Sequence, residues 1–425
     1  MHISWESLEK KIGLTRLPPY FRRLWKEDEG ASERELLLPL LAERDIANYP
    51  DWFGFSRELT GHIRRVSALI DRDRDLKAAA VFLHWALYIA RPFYFVPWFP
   101  GLAADKLGQD AALFGLCVLC REAPRTVLDL ERRNHPNPKD VLDNFKQVND
   151  YAKAFFKQEG RWGLGNAAWC ALCVTPFLNT AHHLRFAPAV LVYAYTLYRH
   201  KKTQALLCLA GGGMGLRQDG LLPTEGQSPA LETVYEKWGD RVLAHRVRAS
   251  GFVSPRPERF DLGEYEALIA SGDTLLGFHI PSGPGYDIPT CIKSFDAALK
   301  LFGTSYPEVR HKGFYCDSWL FSPQLPLLMT PEESRIVAIQ RQMFMLPIHS
   351  DREAFATFLY NLDKMPEPAE LPGGSRLQAL VREHLMQGRH LTVGGAVLPL
   401  IDLPRFGQMP YFREEDLALF RELQG

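Results

Sequence analysis

Apolar residues recur at helical spacing through the first half of the chain and give way to two-residue alternation in the second. The strongest apolar segments of the first half span 36–41, 53–70, 76–90 and 111–120, and helical patterning resumes from 141 to 198. Polar breaks separate them. The alternating charges of 71–75 read as a solvated helix start or turn, and the proline-containing stretch 132–139 reads as a loop. The pattern therefore predicts an all-helical domain over residues 1–203, without an alternating strand, followed by a second domain over 204–425.

Beyond Thr203 the period shortens. Residues 204–210 form a short apolar run, and 231–250 alternate about Trp238-Gly239-Asp240, which predicts a hairpin. Asp261 with Glu264 predicts a capped helix ended by Gly272, ahead of a strand over 274–280. In that strand Leu276, Phe278 and Ile280 share one face, and Leu275, Gly277 and His279 the other. Asp287 and Pro289 then open a helix whose stripe is Ile288, Ile292, Phe295, Leu299 and Phe302, stopped by Gly303. A strand over 313–321 places Phe314, Cys316, Ser318 and Leu320 on one face and Tyr315, Asp317, Trp319 and Phe321 on the other. Thr330 to Glu333 is a capping box for a helix to about Arg341, before a strand over 343–348. A helix over 375–387 and two short strands about a Gly394-Gly395 turn follow. The fold class is α/β (α+β): a helical domain, then a mixed sheet flanked by helices.

Composition narrows the classes. At 425 residues, with 46% hydrophobic and 24% charged, the chain is long and apolar enough for two ordered cores. Lys plus Arg and Asp plus Glu each number 50, so no net field draws nucleic acid or an acidic membrane. The opening residues are charged early and read as no secretory leader, which places the protein in the cytoplasm. The apolar stretch 78–99 is broken by His84, Arg91, Pro92 and Pro97, and reads as a buried helix and a turn. Seven cysteines without a leader favour free thiols. Cys117 with Cys120 and Cys170 with Cys173 have zinc-like spacing, but each pair sits in an apolar helical run, so no metal is expected. The Gly211–Gly215 cluster lacks a following helix and reads as a bulge or turn, not as a dinucleotide fingerprint.

One constellation carries chemistry. His279-Ile-Pro-Ser-Gly-Pro-Gly-Tyr-Asp287 joins a buried strand to the start of the best helix, where the amides of Ser282, Gly283, Gly285 and Tyr286 and the helix dipole favour an anion. Asp287, as a cap, competes for the same place. The string 279–302, then GFYCDSWLFSPQL and MFMLPI, resembles the GNAT-like C-terminal domain of acyltransferases that also carry an all-helical N-terminal domain. The resemblance is carried by Ile280-Pro281-Ser282-Gly283, Ser294 and Cys316 to Leu320, over about 273–348; the family's usual Gln/Arg-x-x-Gly-x-Gly/Ala signature is absent. It implies that two parallel strands, 274–280 and 314–321, splay to admit the pantetheine arm of acyl-CoA, with pyrophosphate on Ser282, Gly283, Gly285 and Tyr286. His279, Tyr315, Cys316 and Ser318 are then the catalytic candidates: His279 as base, Tyr315 or Ser318 as acid, Cys316 as an acyl nucleophile. The implied activity is transfer of an acyl group from acyl-CoA to a small-molecule acceptor, an amine by expectation, with neither nucleic acid nor membrane as partner. The alternatives are a non-catalytic ligand- or acyl-carrier-binding protein and a Cys316-based hydrolase.

Overall fold

The computed structural model describes residues 5–12, 20–28, 34–90, 101–224, 226–281, 283–349, 353–362, 364–408 and 410–424. The chain divides into two compact units, Met1–Thr180 with Gly303–Tyr306, and Ala181–Phe302 with Pro307–Gly425.

The first unit is built from amphipathic helices. Ser56 accepts from the Leu59 amide at 3.1 Å and starts the helix Arg57–Arg72, which buries Leu59, Ile63, Val66 and Ile70 one turn apart. Asp73 caps the next helix, Arg74–Trp85, which is buried on every side from Ala78 onward and continues as a π-helix over Ala86–Ala90. No helix among the described residues is long and apolar enough to cross a membrane, and the turn expected after Ala90 lies outside the described residues. Cys117 and Cys120 lie in the helix Phe114–Arg132, and Cys170 and Cys173 in Ala167–Cys173; all four thiols are buried. Burial raises the pKa values of Cys117, Cys120 and Cys170, that of Cys170 to about 12, as for thiols packed as apolar groups.

Helix gives way to strand at Asn179, ahead of the change expected at Thr203. Three strands were hidden in the pattern read as helical up to 198, the first the short Asn179–Ala181. Leu184–Val190 is nearly continuously apolar because it is central in its sheet, and such a run has no period of its own. Tyr195–His200 does alternate, but with Tyr and Leu on the buried face and Arg199 among them.

The strands are β1 Asn179–Ala181, β2 Leu184–Val190, β3 Tyr195–His200, β4 Leu206–Ala210, β5 Gly215–Leu216, β6 Leu231–Glu232, β7 Tyr235–Trp238 and β8 Arg241–Ala244. They continue as β9 Arg246–Arg248, β10 Phe252–Val253, β11 Glu258–Asp261, β12 Tyr265–Ala270, β13 Thr274–His279, β14 Gly313–Ser318, β15 Phe344–Pro347 and β16 Gly394–Pro399. A six-stranded mixed sheet runs β1-β2-β13-β14-β16-β15, and a five-stranded antiparallel sheet runs β10-β9-β4-β3-β12. The expected hairpin is β7–β8, closed by Trp238 opposite Arg241 around Gly239-Asp240. The glycine cluster turns the chain between β4 and β5.

Three local expectations fail for physical reasons. Asp261 does cap, accepting from the Gly263 amide, but only for a single 3-10 turn; β12 follows because its backbone pairs with β3. Glu333 accepts from the Thr330 amide at 3.0 Å in a turn, and the helix Arg335–Gln340 starts later, capped by Ser334. Gly394 and Gly395 make no turn: both lie inside β16. A Cβ on Gly394 would sit 1.9 Å from the Phe321 carbonyl oxygen, so the strand needs glycine for close approach.

Candidate functional site

The site grows from a parallel pair that stays together for only two residues. β13 pairs along its whole length with antiparallel β2, from Thr274 opposite Val190 to His279 opposite Arg185. β14 likewise pairs along its whole length with β16. Between β13 and β14 the register holds only at Leu276–Phe314 and Gly277–Tyr315, after which the strands part. Among the described residues no backbone pairing joins the two strands beyond that point, where an extended chain can lie between them.

The face toward the helix Ile288–Ser305 is aromatic. Phe295 of the helix lies 4.4 Å from Phe314 and 5.4 Å from Phe278, ring centroid to centroid. The buried stripe is Cys291, Ser294, Phe295, Ala298 and Phe302; Ile292, expected within it, is exposed, and the helix runs past Gly303. Cys316 shares this face. Its thiol is buried, and desolvation with Asp317 and Cys291 nearby pushes it well above the ordinary range. Ser318 ends the strand on the same side, its Oγ accepting from the Leu320 amide at 3.2 Å, and the chain turns into a 3-10 helix in place of the expected strand to 321.

The opposite face carries His279 and Tyr315. The structure therefore divides the four catalytic candidates, two to each face of the sheet. Extending the register by two residues sets His279 opposite Asp317 across the gap. Burial, helped by the positive charge of Arg185, depresses the His279 pKa to about 4, so the imidazole is neutral at neutral pH. Tyr315 is buried, and desolvation raises its phenol. Asp317 is open to solvent, yet desolvation raises its carboxyl. Asp317 was read only as a face position; its sequence signal is a carboxylate at the C-terminal end of a strand, two residues after Tyr315.

The loop after β13 closes one end of the gap. Gly283 and Gly285 have φ of +111° and +108°, where a side chain is strained. Among the described residues, no carbonyl accepts from the amides of Gly283, Gly285 or Tyr286; Ser282 lies outside the described residues. Asp287 caps the helix, its Oδ1 accepting from the Thr290 amide at 2.8 Å, and that bond with the Thr290 hydroxyl holds its carboxyl below the usual range. The Tyr286 hydroxyl is buried, and desolvation, helped by Cys291 and Cys316, pushes it well up. His183, which the sequence reading left without a role at this loop, packs on it: a Cβ on Gly285 would lie 3.1 Å from the His183 ring. The turn bearing His183 is held to the helix by its amide, which donates to Ser294 Oγ at 3.3 Å.

Residues 197–398 match the family model described as GNAT-like C-terminal domain. No curated protein matches the chain. Among solved structures the chain is similar to an acyltransferase in complex with decanoyl-CoA, at 18% identity and a TM-score of 0.52. It is also similar to an acyltransferase mutant in complex with octanoyl-CoA, at 16% identity and a TM-score of 0.51. A third is an acyltransferase in complex with CoA and 10C-teicoplanin, at 16% identity and a TM-score of 0.50. Each alignment covers 94% of this chain and 100% of the other. At these identities the likeness is one of fold.

Proposed function

Because residues 197–398 match the GNAT-like C-terminal domain model, we propose that the protein transfers an acyl group from acyl-CoA to an amine acceptor. The observation that carries this reading is the β13–β14 pair, joined at two positions and then parted, with a glycine loop and a capped helix start at the gap. The pantetheine arm lies in the gap and uses the strand edges as hydrogen-bond partners. The pyrophosphate rests on the amides at Ser282, Gly283, Gly285 and Tyr286. Support also comes from solved acyltransferases of similar fold held in complex with CoA or with its octanoyl or decanoyl thioester.

The chemistry runs on the His279 face. The amine nitrogen attacks the thioester carbonyl carbon, a C–N bond forms, the C–S bond breaks, and the nitrogen gives its proton to neutral His279. Tyr315, kept protonated by burial, supplies a proton to the departing sulfur. Asp317 across the gap favours a cationic partner, either an approaching ammonium or the imidazolium formed in the step. Cys316 lies on the other face with its thiol held protonated by burial, which disfavours the Cys316 hydrolase, and Ser318 accepts from the Leu320 amide at the strand end while keeping its own proton to donate.

Titration calorimetry with CoA, acetyl-CoA and longer acyl-CoAs tests the donor. Gly283→Val places a side chain in open space before the helix and is expected to remove binding. His279→Ala is expected to keep binding while slowing transfer by about 100-fold or more, read as release of free CoA. No binding at millimolar ligand ends the reading. Binding without CoA release, for any amine tried, favours the non-catalytic ligand-binding alternative.

A further inference from the structure

Three ionisable side chains stand in one row across the face that carries the proposed chemistry. Arg185 of β2 is directly opposite His279 of β13 in the antiparallel register, so the two side chains project from the same face. The next residue along β2 fixes the direction. Phe186 packs on Phe295 of the helix Ile288–Ser305, 6.1 Å between ring centroids, which sends Arg185 to the opposite side. On the other flank Asp317 of β14 comes opposite His279, two residues beyond the last paired position. The order across the sheet is therefore guanidinium, imidazole, carboxylate. The row beneath, Ala187, Gly277 and Tyr315, is buried, whereas Arg185 and His279 are partly buried and Asp317 is exposed, so the face opens at the charged row.

Neither outer charge is neutralised. Among the described residues no carboxylate forms an ion pair with Arg185, and no cation forms one with Asp317. Burial, and after it the charge of Arg185, opposes protonation of His279 between them. Two opposite charges held apart on one face, with a base in the middle, match a ligand that carries both complementary charges. The planar fork of Arg185 suits a carboxylate, and Asp317 suits an ammonium. Directly opposed side chains have Cβ atoms about 5 Å apart, so a carboxylate on Arg185 lies beside a nitrogen at His279. A carboxylate one carbon away from the amine meets that spacing.

We propose that the acyl acceptor is an α-amino acid, its carboxylate held by Arg185 and its nitrogen presented between His279 and Asp317. The inference rests on the acyl-CoA reading and names the acceptor class for it. The bound carboxylate also offsets the positive charge that opposes proton uptake by His279, whereas a plain amine leaves that charge in place. A C–N bond forms to the acyl carbon and the thioester C–S bond breaks. Of the two protons that an ammonium loses in becoming an amide N–H, one balances the thiol formed on CoA and one passes through His279 to solvent. The product is an N-acyl amino acid whose carboxylate has not reacted.

Release of free CoA from acetyl-, octanoyl- or decanoyl-CoA by the full chain tests it, at limiting acceptor. The acceptor is an equimolar mixture of the protein amino acids or the matching mixture of their C-terminal amides. The acids are expected to react faster by about tenfold or more, the worth of one charge-assisted pair. Arg185→Gln is expected to bring the ratio of the two rates close to one, and Arg185→Lys, which keeps the charge, to retain part of it. A loss of fold would move both rates together and leave the ratio alone. Calorimetric titration with CoA is expected to give the same affinity for Arg185→Gln as for the native protein. Equal rates with acids and amides overturn the proposal, as does a ratio unchanged in Arg185→Gln. Release with neither mixture, while CoA still binds, overturns it and leaves the donor reading standing. Weaker CoA binding by Arg185→Gln gives Arg185 to the donor and overturns it too. Failure of CoA to bind the native protein ends the donor reading, and this inference with it.

Discussion

His279 is held uncharged by its surroundings, and that has a direction in pH. Its folded pKa of about 4 lies below the ordinary 6.5, so between these values the unfolded chain takes up a proton that the native protein refuses. Stability from this group is full above pH 6.5 and falls as the pH drops toward 4, by no more than roughly 3 kcal/mol. Denaturant titrations at pH 7 and pH 4.5 should show the native protein losing more stability than His279→Gln over the same interval. Equal losses would mean that His279 titrates normally and is not enclosed. At Asp287, replacement by Asn keeps a side-chain oxygen for the Thr290 amide and removes the charge. Asp287→Asn should melt with the native protein and bind CoA severalfold more tightly; weaker binding would mean that no anion approaches this helix start.

At the scale of elements, β16 shows why glycine is read wrongly from sequence. Two adjacent glycines look like a turn, yet each sits in an extended strand because something occupies the space of its side chain. For Gly394 that is the Phe321 carbonyl oxygen, and for Gly395 the Ile348 side chain at 3.0 Å and the Tyr315 ring at 3.4 Å from a Cβ. Gly394→Ala should therefore destabilise the protein by about 2 kcal/mol or more, a fall of several degrees in melting temperature, by pushing β16 from the 3-10 turn that ends β14. A thermal melt unchanged within a degree would contradict the close approach. The helix Ile288–Ser305 was more legible: its start, its cap and Phe295 with Phe302 were visible in the pattern. Its exact face was not, because Cys291, Ser294 and Ala298 are small and score weakly as apolar although they are the ones buried.

At the scale of the whole strand-rich unit, the two main sheets are tied by a buried ion pair. Arg199 belongs to β3 of the five-stranded sheet, and Asp402 to the 3-10 turn that follows β16 of the six-stranded sheet. Both side chains are 9% exposed. Removing one partner leaves the other charged and out of water, which costs about 3–5 kcal/mol in comparable sites. Asp402→Ala is thus expected to lower the denaturant midpoint sharply, and Arg199→Met with Asp402→Leu to recover most of the loss. A single variant as stable as the native protein would show that the pair is hydrated in solution.

The sequence by itself determined the succession of helix-rich and strand-rich units, the strand–glycine loop–helix–strand order around His279, and the cap at Asp287, because these depend on local period and on backbone amides at one helix end. It could not place the start of the strands, since β2 is central and its apolar run has no period. Only the tertiary structure decided that His279 and Tyr315 share one face while Cys316 and Ser318 take the other, and that Asp317 comes opposite His279. Alternation assigns faces within a strand; the relation between two strands depends on register, and here register holds for two residues and then fails. The Arg199–Asp402 pair was likewise invisible, for its partners come from distant stretches of chain that meet only when the two sheets fold together.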